Sequence, residues 1–357
     1  MKHNLKNKHY IATIIGAFHS KQEAEGGQIV KTKELYNLLC KTYGPEKIAY
    51  IDTVDWKYNV LTLLVKYAYF SFNSKSIIML PAHKGLIIFA RLLYFSKHVL
   101  KSQIYYDVIG GWLPNVLRNK KRLSHILSKF NGIWVETKSM KSLLEQEGMS
   151  NVSVINNFKV LTPVELNETS ENSNLLPLKL CFFSRIVKEK GIEDAINAVI
   201  TINNKYIDIK LMLDIYGPID PSYKDSFANF QHAFPSYIKY KGVVAARNSS
   251  QVISQYSLLL FPTHYKTEGI PGTIIDAYFS GVPVIAARWN SFADVIDEGI
   301  TGYGFEILNN DDLIKVLEKL ITNPMMLQAC RRQCLDKSKE YTAEYVFSQI
   351  VATGFNQ

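Results

Sequence analysis

The chain has 357 residues, 47% of them hydrophobic, a length and composition that exclude a disordered polypeptide and favour two buried cores over one. Its net charge of +9 is uneven: residues 1–165 carry 23 Lys and Arg against 11 Asp and Glu, and the remainder 18 against 21. A basic first half draws an anionic partner, whether nucleic acid, phospholipid or a phosphorylated substrate.

The opening MKHNLKNKHYIATIIGAF imitates a signal peptide but lacks a small-residue cleavage site, so YIATIIGAF reads as a first strand of a cytoplasmic protein. Next comes AEGGQIVKTKEL, with Gly26 and Gly27 at the entrance to a helix from Gln28 to Tyr43. The pair is either a tight turn or a loop that lets a ligand close to the backbone. The runs KIAYID, SIIML, QIYYDVIG, GIWVE and VSVIN then alternate with helical patterns, the signature of parallel strands with crossover helices. His83, in MLPAHKG, ends the third strand as either a structural or a cleft histidine.

GLIIFARLLYF, starting at Gly85, is the longest apolar run; Arg91 breaks it and Lys84 and Lys97 flank it, so it is too short and too charged to span a bilayer. VIGGWLPN places Gly110, Gly111 and Trp112 after a strand, as candidates for an acceptor side. WLPNVLRNKKRLSHILSKF reads as one basic amphipathic helix. It is either an ordinary packed helix or one lying on an anionic membrane surface. No zinc finger or RNP aromatic pair accompanies the charge, so nucleic acid is not an expected partner.

The alternation breaks at a polar stretch with two prolines. This gives an N-terminal domain over 1–160, a linker over 161–177 and a second domain over 178–340, with residues 341–357 packing back onto the first. LKLCFFS, IKLMLDIYG, YIKYKG, SLLLFP and VPVIAA supply strands of the second domain, and the chain after Asn310 reads as helix. The fold class expected is α/β: two doubly wound Rossmann-like domains with a cleft between them. Cys40, Cys181, Cys330 and Cys334 form no metal-ligand set and read as buried or incidental thiols.

Two stretches of the second domain carry chemistry. In LKLCFFSRIVKEKGIEDAI, Arg185 follows a strand and Lys190 precedes a helix, so an anion could reach both; the alternative is a solvated charged loop. Neither GxGxxG nor a P-loop occurs. In THYKTEGIPGTIIDAYFSGVPVIAA, Pro271 suits the first position of a helix. The N–H groups of Gly272, Thr273 and Ile274 would then be free to seat a phosphate, with Gly269 and Ile270 beside them. Glu268 can accept hydrogen bonds from sugar hydroxyls, and Asp276 from both hydroxyls of a ribose. No DxD occurs, so no essential metal is expected.

Together, FFSRIVKEKGIEDAI and EGIPGTIIDAYFSGVPVIA resemble the donor-binding half of the retaining, sugar-nucleotide-dependent glycosyltransferases of family four, which have the GT-B fold. The resemblance covers roughly residues 178–305 well and the first domain in outline. It implies that Arg185 and Lys190 hold the donor diphosphate, Glu268 touches the transferred sugar and Asp276 holds the ribose. It further implies that Gly26 and Gly27 face the donor phosphates and that His83 lies near the transferred sugar. Backbone near Val243 would contact the base. The chain departs from the pattern twice: the second acid is usually Glu, and Ser184 stands where Gly usually precedes the Arg.

The function expected is transfer of a hexose or N-acetylhexosamine from a nucleotide-sugar, a UDP-sugar first, to a glycan or lipid-diphosphate-linked acceptor. The implied setting is bacterial surface polysaccharide assembly, at the inner face of the plasma membrane, with no permanently bound cofactor. The alternatives are a sugar-nucleotide epimerase or hydrolase of the same architecture, and a non-catalytic nucleotide- or membrane-binding subunit.

Overall fold

The computed structural model describes residues 9–19, 26–54, 60–165 and 176–356. The chain forms two compact units, one of residues 1–160 with 343–357 and one of residues 161–342.

In the first unit the β-branched and aromatic runs become β1 (Tyr10–Gly16), β2 (Ile48–Asp52), β3 (Ser74–Met79), β4 (Gln103–Asp107), β5 (Gly132–Val135) and β6 (Val152–Val154). They form a parallel sheet in the order β2-β1-β3-β4-β5-β6. Parallel neighbours need crossovers. These are α1 (Gly27–Tyr43), α2 (Val60–Phe72), α3 (His83–Leu100), α4 (Leu113–Asn119), α5 (Lys121–Ser128) and α6 (Lys138–Gln146). Successive strand residues point to opposite faces, so Ile14 joins Leu35, Leu39 and, from the chain's last helix (Ala343–Ala352), Val346 and Ile350 on one side. Ile15 joins Leu63 and Tyr67 of α2 and Phe89 and Leu93 of α3 on the other. Each such side chain contributes about 1.5–3 kcal/mol on burial.

The basic stretch expected as one helix is two, α4 and α5, broken at Lys120 (φ −130°, ψ 66°). The cause lies in the apolar spacing. Leu113 and Leu117 are buried, as are Leu123, Ile126 and Leu127. One continuous helix would turn Lys120 or Lys121 toward the core between those two groups.

The second unit repeats the plan with β7 (Leu178–Phe183), β8 (Leu211–Tyr216), β9 (Ile238–Gly242), β10 (Leu258–Phe261), β11 (Val284–Ala287) and β12 (Gly302–Phe305), all parallel, in the order β12-β11-β10-β7-β8-β9. Its helices are α7 (Ile192–Asn203), α8 (Lys224–His232), α9 (Ser249–Ile253), α10 (Gly272–Phe279), α11 (Phe292–Val295), α12 (Asn310–Thr322) and α13 (Met325–Ser338). Strand β12 was not expected from the sequence. A Cβ on Gly302 would stand 2.0 Å from Val284 O, and one on Gly304 2.5 Å from the Phe292 ring, so close packing rather than β-propensity sets its composition.

Residues 161–165, expected in the linker, belong to the second unit, where Val164 N donates to Phe279 O at 2.9 Å. Linker residues 166–175 lie outside the described residues. The doubly wound α/β fold class expected from the alternation is present in both units.

Candidate functional site

In the second sheet the chain runs from β7 to β8 and β9 in one direction, and from β10 to β11 and β12 in the other. The loops after the adjacent strands β7 and β10 therefore diverge at the carboxyl ends, the point where open α/β sheets bind ligands. After β7 the backbone makes a turn over Lys188–Lys190 and enters α7 through Gly191, at φ 75°. A Cβ there would stand 1.7 Å from Pro262 O, so only glycine lets this loop lie against the one that follows β10. His264 N donates to Glu189 O at 2.8 Å and closes the two loops together.

That closure brings Lys190 and Glu268 into an ion pair, their side chains 18% and 16% exposed. The Thr263 hydroxyl donates to the same carboxylate at 3.1 Å. The Lys190 ammonium also lies 5.1 Å from the centre of the Tyr265 ring and 5.7 Å from that of Phe261. A cation held this way is partly desolvated, and its field on a nearby anion is stronger than in bulk water. His264 Nε2 lies 2.6 Å from Asp194 Oδ2 of α7, a further tie between the loops.

Arg185 extends more freely, 54% exposed, with Nη1 3.4 Å from Asp220 Oδ2. The hydroxyl and N–H of Ser222 donate to Asp220 Oδ1 at 2.6 and 3.0 Å. Those bonds, aided by Arg185, hold the Asp220 carboxyl below the usual carboxylate range. Arg185 is thus tethered at one nitrogen while much of its donor fork faces solvent.

Helix α10 starts one residue later than expected: Pro271 is its N-cap, and Gly272 is its first residue. The N–H groups of Gly272 and Thr273 have no partner among the described residues. Ile274 N, expected free, donates to Pro271 O at 3.0 Å because the first turn is tight, so two amides rather than three remain. Thr273 Oγ1 is shielded from solvent and has no partner among the described residues. Gly269 and Ile270 are buried, with the Ile270 side chain in the core. Asp276, expected to face a ribose, is 2% exposed. The cause is that α10 is buried on nearly every side, with Ile274, Ile275, Ala277 and Tyr278 all inaccessible. Val243, just beyond β9, is exposed.

The first unit repeats the logic. Its strand order reverses between β1 and β3, and the chain after each leads to Gly26–Gly27 and to His83. The Gln28 amide links the two by donating to Leu80 O at 3.4 Å. Gly26 caps α1 at φ −69°, and a Cβ on either glycine meets nothing within 4 Å among the described residues. His83 opens α3 at φ 48°, a conformation costing a non-glycine residue about 1–3 kcal/mol, and is exposed. Its ring stacks on Trp112, centroids 4.6 Å apart, and Trp112 Nε1 donates to Ile109 O at 2.9 Å. His83, Gly110, Gly111 and Trp112 thus form one group at adjacent strand ends.

The same unit holds a feature no sequence motif announced. Lys31 Nζ sits 3.0 Å from Asp107 Oδ1 and 2.9 Å from Glu136 Oε1, all three side chains at most 5% exposed. Burial pushes the Asp107 carboxyl up, against the pull of Lys31, and the two acids hold Lys31 charged. Among the described residues no three His, Cys, Asp or Glu side chains cluster to hold a metal, and no helix is long and apolar enough to cross a membrane. The four cysteines are free.

Residues 177–323 match the family described as glycosyl transferases group 1. The chain carries a group 1 glycosyltransferase domain. The capsular polysaccharide biosynthesis glycosyltransferase CapM of Staphylococcus aureus is 29% identical over 145 residues, 40% of this chain and 36% of CapM. The curated relatives matched are covered over 22–46% of their own lengths. Among solved structures, Anabaena HepE in complex with UDP superposes with a TM-score of 0.76 at 13% identity, covering 98% of this chain and all of that one. Sucrose-phosphate synthase from Thermosynechococcus elongatus gives 0.75 at 13% identity, over 96% and 97%. At such identities the likeness is one of fold: the two-unit α/β architecture of this glycosyltransferase-domain protein is GT-B.

Proposed function

We propose that this protein is a retaining glycosyltransferase that moves a hexose or N-acetylhexosamine from a UDP-sugar to a glycan acceptor on a lipid diphosphate, in surface polysaccharide assembly. The observation that carries the reading is the Lys190–Glu268 pair where the loops after β7 and β10 diverge, in the same unit as the amides of Gly272 and Thr273, which have no partner among the described residues. The donor's diphosphate takes Lys190, Arg185 and those amides. Glu268, with Thr263 already on one oxygen, turns its remaining lone pairs to hydroxyls of the transferred sugar.

The chemistry follows from charge. As the glycosidic bond lengthens, negative charge grows on the departing diphosphate, and the ammonium and guanidinium are already placed to receive it. Preorganised donors of this kind are typically worth about 3–4 kcal/mol each in the transition state. Positive charge comes from the protein, and no metal step is invoked. Attack by the acceptor on the face the diphosphate leaves, with the leaving phosphate taking the acceptor's proton, retains the anomeric configuration and needs no protein nucleophile. In the first unit, His83, stacked on Trp112, and Gly26 and Gly27 stay assigned to sugar and phosphate contacts as part of this proposal alone. Asp276 serves the ribose only if α10 or its surroundings shift, since it is buried.

CapM's name supports the polysaccharide setting, and HepE's bound UDP supports the donor class. The test is transfer from UDP-sugars to a polyprenyl-diphosphate glycan, with the product's anomeric configuration read by NMR. Transfer with retention is expected. Rapid donor consumption without acceptor, or an inverted product, overturns the proposal.

A further inference from the structure

Helix α2 is apolar on both its faces. Leu63 and Tyr67 pack inward, while Leu61, Leu64, Val65 and Phe72 point outward, Leu61 78% exposed. These positions recur at i, i+3, i+4 and i+11, a single stripe on the solvent side. The neighbouring α3 is joined to it by a hydrogen bond between Tyr67 and Ser96 hydroxyls, 2.5 Å apart. Its own outward stripe reads Lys84, Ile88, Arg91, Phe95, Val99, cations alternating with apolar side chains, Phe95 76% exposed. Beyond α3 lies α5, where Tyr94 meets His125 and where Lys121, Arg122 and, just past its end, Lys129 are exposed.

Charge decides what covers this face. Helices α2, α3 and α5 carry Lys66, Lys84, Arg91, Lys97, Lys121 and Arg122 and no Asp or Glu. A second copy of the chain would bring two cationic faces together. A bilayer with anionic headgroups accepts both components at one depth: the exposed Leu, Val and Phe side chains enter the acyl boundary, and the interleaved cations meet phosphate.

We propose that the outward faces of α2 and α3, with the cations of α5 at their border, dock this protein on an anionic lipid surface. The run from Gly85, too short to span a membrane, lies on one instead. This rests on the lipid-linked acceptor reading only in that such an acceptor gives the protein reason to reach a membrane; the surface itself stands on exposure and charge.

The test is co-sedimentation of the full chain with phosphatidylcholine vesicles, with and without phosphatidylglycerol. Binding is expected only with phosphatidylglycerol, weakening as salt rises. Leu61→Ser with Phe95→Ser, and separately Lys84→Glu with Arg91→Glu, should each lower the partition coefficient roughly tenfold or more. Both pairs are exposed, and unchanged thermal unfolding and UDP affinity confirm an intact fold. No binding to anionic vesicles, undiminished binding by both variants, or a dimer in light scattering that the substitutions dissolve would each overturn the proposal. Loss of UDP binding in wild type with vesicle binding intact would instead refute the donor reading and leave this one standing.

Discussion

Replacing Lys31 with Met keeps the length of the side chain and removes its charge, leaving Asp107 and Glu136 buried together without a counter-ion. At about 3 Å and an effective dielectric near 20, each Lys31–carboxylate contact gives about 5 kcal/mol of attraction, offset by several kcal/mol of desolvation per ion. The intact trio is therefore close to break-even, but breaking it is not: Lys31→Met should lower stability by about 3–5 kcal/mol. Asp107→Asn leaves one cation facing one anion and should cost less. Asp107 also has a folded-state pKa above its unfolded value. The stability linked to its proton is full below the ordinary carboxylate pKa and lost as pH rises through the folded value, so wild type should gain on Asp107→Asn as pH falls. Urea unfolding followed by circular dichroism reads both effects as midpoint shifts at constant slope. A Lys31→Met protein within about 1 kcal/mol of wild type, or an Asp107→Asn protein that loses more, would refute the reasoning.

Lys190→Ala should reduce transfer at least about a hundredfold while folding normally, measured as kcat with saturating donor. Gly26→Val adds its side chain at an ordinary φ where a Cβ meets none of the described residues within 4 Å, so unfolding curves should stay close to wild type while donor turnover drops. Trp112→Ala should raise KM for the acceptor and leave UDP affinity unchanged, since its ring stacks on His83 in the first unit.

Eleven of the twelve strands among the described residues were legible because they are short β-branched or aromatic runs bounded by turn residues. GYGF at 302–305 was not, because its glycines answer to the Val284 backbone and the Phe292 ring, contacts invisible in sequence. The break at Lys120 was written in the spacing from Leu117 to Leu123, which skips the turn a continuous helix would bury. In the candidate site, Arg185, Lys190, Glu268 and the α10 N-terminus stood out through their positions at strand ends. The depth of Asp276 did not, since it depends on what packs around α10. The Lys31 trio was beyond reach: Lys31 and Glu136 are 105 residues apart, and neither belongs to a motif.

The most direct test of the account is a calorimetric titration of UDP into the wild-type chain and into Lys190→Ala. A single UDP site is expected in wild type, with Kd raised about 10–100-fold in the variant, the loss of one charge-assisted contact. No UDP binding by wild type, or the same Kd in both proteins, would contradict the claim that Lys190 and Glu268 mark a diphosphate-sugar site.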